Sequence, residues 1–310
     1  MYKRLLTALQ SRVYKVTVSV LAASLLMAAL FSMQDSLSEA FSREALRFAP
    51  LLLLVFPLTW VNLYCEVKKW HALSGAESTG IRAGFVQVLA GICSGFITPN
   101  RIGEFAGRTA HLPESRQRYG PAATFTGSFI QGGITFLFGL IGLFTFPFIP
   151  LESGFPPAGY AFPAVAVFAL LLVIIARRIS PRLDARISSA LGRVRSVGLS
   201  RFLRATVWAA LRYAVFCLQF TAALYCFGFT GHFTTALSGV ALLYFCRFFI
   251  PGTPFGELGI RESLSVILFG TLTVHPLGAL FAGLAVWSAN IGVPVLAGAV
   301  TGLMPAHERN

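Results

Sequence analysis

The chain has 310 residues, 55% of them hydrophobic and 12% charged, with a mean hydropathy of +0.72. A soluble domain of that composition would leave large apolar areas in water, so the sequence is that of an all-α integral membrane protein. Its 25 basic residues against 12 acidic ones, a net charge of +13, point to anionic lipid headgroups and to the asymmetry that orients spans rather than to nucleic acid, for which no aromatic-and-basic module is present.

Residues 1–15 hold Lys3, Arg4, Arg12 and Lys15 without an acid. The apolar run 16–33 lacks a small-residue cleavage site and reads as a retained span. Residues 34–47 are slightly acidic, and 48–65 is the second span. Further spans fall at 121–149, 158–176, 205–229 and 277–303, each near the roughly 20 apolar residues that a bilayer core requires. The connection 177–204 carries eight Arg and one acid, Asp184, and reads as a surface against the inner leaflet. The positive-inside rule then places 1–15 and 177–204 in the cytoplasm and 34–47 outside, in a plasma or inner membrane, and tracing the second span delivers 66–82 to the cytoplasm. Residues 304–310 form a short tail.

Two shorter apolar stretches, 83–98 and 234–250, each run into a proline. Tracing the chain from both sides puts the two ends of 83–120 on the cytoplasmic face, so 83–98 cannot be a simple span. The reading that fits is a re-entrant hairpin that breaks at Pro99 and returns from Gly103 to about Leu112. Broken backbone at membrane depth is tolerated where it is buried in protein or lines a cavity.

Residues 103–108 read GEFAGR and residues 256–261 read GELGIR, about half a chain-length apart. At that offset Cys93 falls on Cys246 and Ile97 on Ile250, and the spans of the halves lie near one another. Three spans separate the copies, and an odd number reverses orientation. The expected architecture is a single transmembrane domain over 1–303, a polytopic bundle of about six spans. It is an inverted repeat of 15–150 and 158–303, each half with one re-entrant broken-helix hairpin, the second being 234–250 with a return near 258–275. Its breaks are Pro99 and Gly103 in the first half and Pro251, Pro254, Gly256 and Gly259 in the second.

The hairpins concentrate charge: Arg101, Glu104 and Arg108 in the first, Arg247, Glu257, Arg261 and Glu262 in the second. A charge at the bilayer centre costs roughly 2.5–3.5 kcal/mol, so such residues pair or line a pathway. Glu and Arg four positions apart share a helix face, which permits a structural ion pair. The other reading is an anion site, with N–H groups after Gly103 and Gly256 and bidentate Arg contacts on a phosphate. Gln131 and Asn290 serve either a cavity or interhelical hydrogen bonds. Gly91 with Gly95, Gly103 with Gly107 and Gly298 with Gly302 suit close helix packing, and Trp60, Trp70 and Trp208 suit interfacial positions. The five Cys and five His are scattered without metal-ligand spacing, and no catalytic signature or nucleotide-binding motif occurs, so no cofactor, metal or enzymatic activity is expected.

Residues 94–104, SGFITPNRIGE, and 254–262, PFGELGIRE, look like the Thr-Pro-Gly-Arg-x-Gly-Glu and Pro-x-Gly-Gly-x-Gly-x-Arg-Glu patterns of the lysylphosphatidylglycerol synthase and flippase family. The chain resembles that family's membrane region over about 15–303. Asn100 stands where Gly is usual, and Glu257 replaces the second Gly of the pair, adding a charge that bears on headgroup preference. The resemblance implies movement of an aminoacylated or otherwise polar-headed phospholipid between leaflets, with membrane lipids as partners and a homo-oligomer compatible with it. With seven residues after the last span, a separate aminoacyl-transferase domain is not expected. The alternatives are an ion-coupled carrier of a small anion and, further off, a membrane enzyme acting on lipid-linked substrates.

Overall fold

The computed structural model describes residues 49–98, 101–147, 192, 197–248, 256–274 and 276–303. The expected spans 16–33 and 158–176, the segments 1–15 and 34–47, most of 177–204, the tail and the break residues Pro99, Asn100, Pro251 and Pro254 lie outside them. Among the described residues the regular elements are helices: α1 Ala49–Ser74, α2 Gly80–Ile97, α3 Gly103–Ala110, α4 Glu114–Gln117, α5 Gly120–Thr145, α6 Leu199–Cys226, α7 Phe233–Phe248, α8 Gly256–Phe269, α9 Pro276–Trp287 and α10 Val293–Leu303. A π-helical turn, Ser288–Gly292, joins α9 to α10 into one rod. Four stretches are long and apolar enough to cross a membrane, Glu77–Phe96, Gly120–Thr145, Leu199–Cys226 and Leu277–Val300, and the chain is a helical membrane protein on that ground.

The outside of the bundle agrees. Leu53, Leu199, Ile267 and Leu296 are each about 70% exposed, whereas Glu66, Lys69, Arg108, Arg261 and Glu262 are buried to 5% exposure or less. Water would penalise each such apolar side chain by about 1.5–3 kcal/mol relative to burial, and lipid does not.

α1 packs along α6, α2 against α10, α5 against α7, and α8 against α9. The closest approaches are made at glycines. A Cβ at Gly142 would lie 2.6 Å from the Ser238 carbonyl of α7, and one at Gly298 would lie 2.5 Å from the Leu89 carbonyl of α2.

α2 and α3 run antiparallel as a hairpin. Gly107 faces the Ala90 carbonyl and Gly103 the Ser94 carbonyl, while Gly91 and Gly95 of α2 receive the side chains of Arg108 and Glu104. The small-residue spacings therefore pack within the chain, as expected, with Gly302 not described in this respect. At the turn, Thr98 Oγ1 accepts the Gly103 N–H at 2.7 Å and donates to the Ser94 carbonyl at 2.9 Å. Arg101 sits in the same turn with φ of 57°, a left-handed conformation that costs a non-glycine residue about 1–3 kcal/mol.

α7 begins and α8 finishes at the end of the bundle where α6 finishes. There the α6–α7 connection lies beside the α8–α9 connection, with Thr230 N–H donating to the Leu272 carbonyl and Val274 N–H to the Gly228 carbonyl, each at 2.9 Å.

Two expectations are corrected. The second apolar segment does not give way to a connection at residue 66: α1 continues to Ser74, and Glu66, Lys69 and His71 are buried within it. Trp70 is not interfacial but 1% exposed, its Nε1 donating to Gln87 Oε1 at 2.7 Å. The helix persists because its charged residues find partners on α3 and α6.

Candidate functional site, a cationic cavity between the two hairpins

A cavity of about 350 Å³ opens where α1, α2, α3, α5, α6, α7, α8 and the π-turn converge. Six cationic side chains line it, Lys69, Arg101, Arg108, Arg212, Arg247 and Arg261, against two carboxylates, Glu66 and Glu104. Both repeated motifs thus reach one space, although they lie half a chain apart in sequence.

Glu66, 3% exposed, is the hub of the first wall. Its Oε1 accepts from Arg108 Nη2 at 2.8 Å. Its Oε2 lies 2.6 Å from Lys69 Nζ and 2.8 Å from Arg212 Nη1, held by charge without an aligned hydrogen bond. Arg108 also donates to Glu104 Oε1 at 2.5 Å, the pairing four residues apart that the sequence permits, and its guanidinium lies 5.3 Å from the Trp70 ring. Arg101 Nε stands 3.4 Å from Glu104 Oε2, with its side chain 45% exposed.

The second wall comes from α7 and α8. Arg247 and Arg261 line the cavity. Arg261 Nη2 donates to the Gly283 carbonyl at 2.9 Å and to Glu262 Oε1. Glu262 is fully buried and lies behind Arg261 rather than on the cavity wall, so its role is to hold that guanidinium. Gly256 and Glu257 belong to the first turn of α8, whose side chains lie outside the described residues, and Gly259 is buried.

The backbone N–H of Gly103 is taken by the Thr98 hydroxyl and does not point free at an anion. Gln131 and Asn290 both line the cavity. Asn290 Nδ2 donates to Gln219 Oε1 at 2.7 Å and to the Val286 carbonyl at 3.1 Å, so it also ties the π-turn to α6. π-turns within helices recur at functional sites.

Sequence reasoning missed Glu66, Lys69, Arg212 and Asn62. Arg212 carried a usable signal, as a lone Arg inside an apolar run. Its Nε donates to Asn62 Oδ1 at 3.0 Å, and Asn62 Nδ2 donates back to the Arg212 carbonyl at 3.3 Å. Among the described residues no group of three or more His, Cys, Asp or Glu side chains could hold a metal ion.

No protein-family model matches the chain, and searches of curated proteins and of solved structures return no match either.

Proposed function

We propose that the chain is a lipid flippase, which moves a phosphate-bearing phospholipid, aminoacylated or otherwise polar-headed, between the leaflets of a plasma or inner membrane. The observation that carries this reading is the cavity: six cationic side chains against two carboxylates, inside a bundle whose outer surface is apolar. Such an excess of buried positive charge suits a phosphate, and Arg supplies bidentate contacts to its oxygens. A volume of about 350 Å³ has room for a headgroup but not for acyl chains, which would stay in the bilayer. Arg101, Arg108, Arg247 and Arg261 would meet the phosphate, and Glu104, 14% exposed, would meet a cationic headgroup substituent.

An inverted repeat underlies this reading. The first half is α1, the hairpin α2–α3 and α5; the second is α6, the hairpin α7–α8 and the α9–α10 rod. A two-fold exchanging the halves would pair α1 with α6 and turn the α2–α10 contact into the α7–α5 contact, and these are the closely packed pairs. Lys68, Arg82, Arg116, Arg118, Arg201 and Arg204 gather at the end where α1 finishes and α6 begins, while connections 227–232 and 270–274 carry no Lys, Arg, Asp or Glu. The basic end would be cytoplasmic, as would the N-terminus, with the two hairpins re-entering from opposite faces. The motifs at 94–104 and 254–262, which resemble the lysylphosphatidylglycerol flippase family, fall at these hairpins.

The test is reconstitution of the pure protein in vesicles, following fluorescent phosphatidylglycerol, its lysyl ester and a polyprenyl phosphate across leaflets. Movement of one of them, abolished in folded Arg101→Ala/Arg261→Ala, is expected. If none moves, the flippase reading fails, and uptake of a small soluble anion through the same cavity becomes the reading to test.

A further inference from the structure

Gln131 of α5 occupies an unusual place on the cavity wall. Its Oε1 is 3.4 Å from Lys69 Nζ and also 3.4 Å from Arg212 Nη1. Those two cations come from α1 and α6, and they already flank one oxygen of Glu66. Lys69 is 3% exposed, and its ammonium meets one carboxylate oxygen, of Glu66, and one neutral amide oxygen at the outer limit of hydrogen-bond distance. Three cations, Lys69, Arg108 and Arg212, share the single carboxylate of Glu66, and Arg108 is shared further with Glu104. The wall is left with excess positive charge facing the cavity that all these residues line.

We infer that Lys69 and Arg212 form a phosphate-oxyanion seat in which the amide oxygen of Gln131 stands in for a ligand oxygen. An amide oxygen carries only a partial charge. A phosphate oxygen at the same position accepts charge-assisted hydrogen bonds from both cations at about 2.7–2.9 Å, shorter than the present 3.4 Å contacts. The seat is anchored on the α1–α6 pair at the centre of the bundle, and Arg212 is oriented by Asn62. Gln131 yields it by a side-chain rotation that breaks no ion pair, since α5 carries no Lys, Arg, Asp or Glu. This inference deepens the headgroup reading of the same cavity and rests on it for the source of the phosphate, not for the seat itself.

The opposed effects of two substitutions at Gln131 test it. Binding is measured by calorimetry on the full chain in phosphatidylcholine nanodiscs, with inorganic phosphate in one arm and nanodiscs containing phosphatidylglycerol in the other. Gln131→Ala removes the competing oxygen and is expected to tighten binding several-fold. Gln131→Glu places a full carboxylate between the two cations and is expected to abolish binding while leaving thermal stability unchanged or raised. Arg212→Gln is expected to weaken binding at least tenfold, with Arg212→Lys recovering part. If folded Gln131→Ala binds no more tightly than wild type, or Gln131→Glu binds as well, the seat is overturned. Binding of phosphate but not phosphatidylglycerol, with these signs, upholds the seat and overturns the lipid reading. Binding of neither by wild-type protein overturns the seat.

Discussion

Glu66→Gln is the perturbation that bears most directly on how the cavity wall is held. The carboxylate is 3% exposed and lies 2.6 Å from Lys69, 2.8 Å from Arg108 and 2.8 Å from Arg212. The amide is isosteric, so packing is preserved and only the charge is lost. Two of the three cations, Lys69 and Arg108, have side chains exposed by only 4% and 6%, so they recover little hydration in exchange. Removing one partner of a buried pair costs about 3–5 kcal/mol because the other charge is left uncompensated, and here Glu104 remains to neutralise Arg108 in part. A loss of about 3 kcal/mol is therefore expected, read as a fall in Tm of about 5 °C in detergent for a chain of this length. In the double variant Glu66→Gln/Lys69→Met one unpaired cation disappears with the carboxylate, so it should be more stable than Glu66→Gln alone by at least about 1 kcal/mol. If Glu66→Gln unfolds within about 1 kcal/mol of wild type, the three cations are not held by that carboxylate, and the account of the wall is wrong.

Three further outcomes follow from the same geometry. Glu77→Gln breaks the pair with Arg204, whose members are 55% and 52% exposed, and thermal unfolding should register less than about 1 kcal/mol. Thr98→Val removes the hydroxyl that caps Gly103 N–H, and a loss of about 1 kcal/mol is expected in a stability assay, with lipid movement reduced because the α2–α3 turn carries Arg101. Gly107→Ala would set a methyl 2.5 Å from the Ala90 carbonyl, forcing α3 away from α2, so that both stability and any transport should fall by more than with Gly127→Ala, where the nearest atom, Leu73 Cδ1, is 3.3 Å away.

The sequence carried the charged segments that line the cavity in local form. Arg101, Glu104, Arg108, Arg247 and Arg261 stand out because ionisable residues beside a proline in an apolar stretch are rare, and all five line the cavity. Glu66 and Lys69 did not, for a physical reason: a span drawn by hydropathy stops where charge begins. α1 nonetheless continues through both residues, since their partners arrive from α3 and α6, which are remote in sequence. Trp70 was misplaced for the same reason, an amphipathic ring near an apolar boundary suiting an interface until Gln87 and Arg108 are folded onto it. The Thr98 cap was not read from the sequence, because whether a hydroxyl reaches Gly103 depends on the turn between them.

The central claim is that the cavity between the two hairpins receives a phospholipid headgroup. Photo-cross-linking tests it most directly: phosphatidylglycerol bearing a photoreactive group on its headgroup is incorporated with the full chain in nanodiscs, irradiated, and the adducts mapped by mass spectrometry. The account predicts adducts on the peptides containing Arg101–Arg108 and Gln131, lost in competition with unlabelled lipid. Adducts confined to the exposed basic end around Arg201 and Arg204, with none on the cavity peptides, would contradict it.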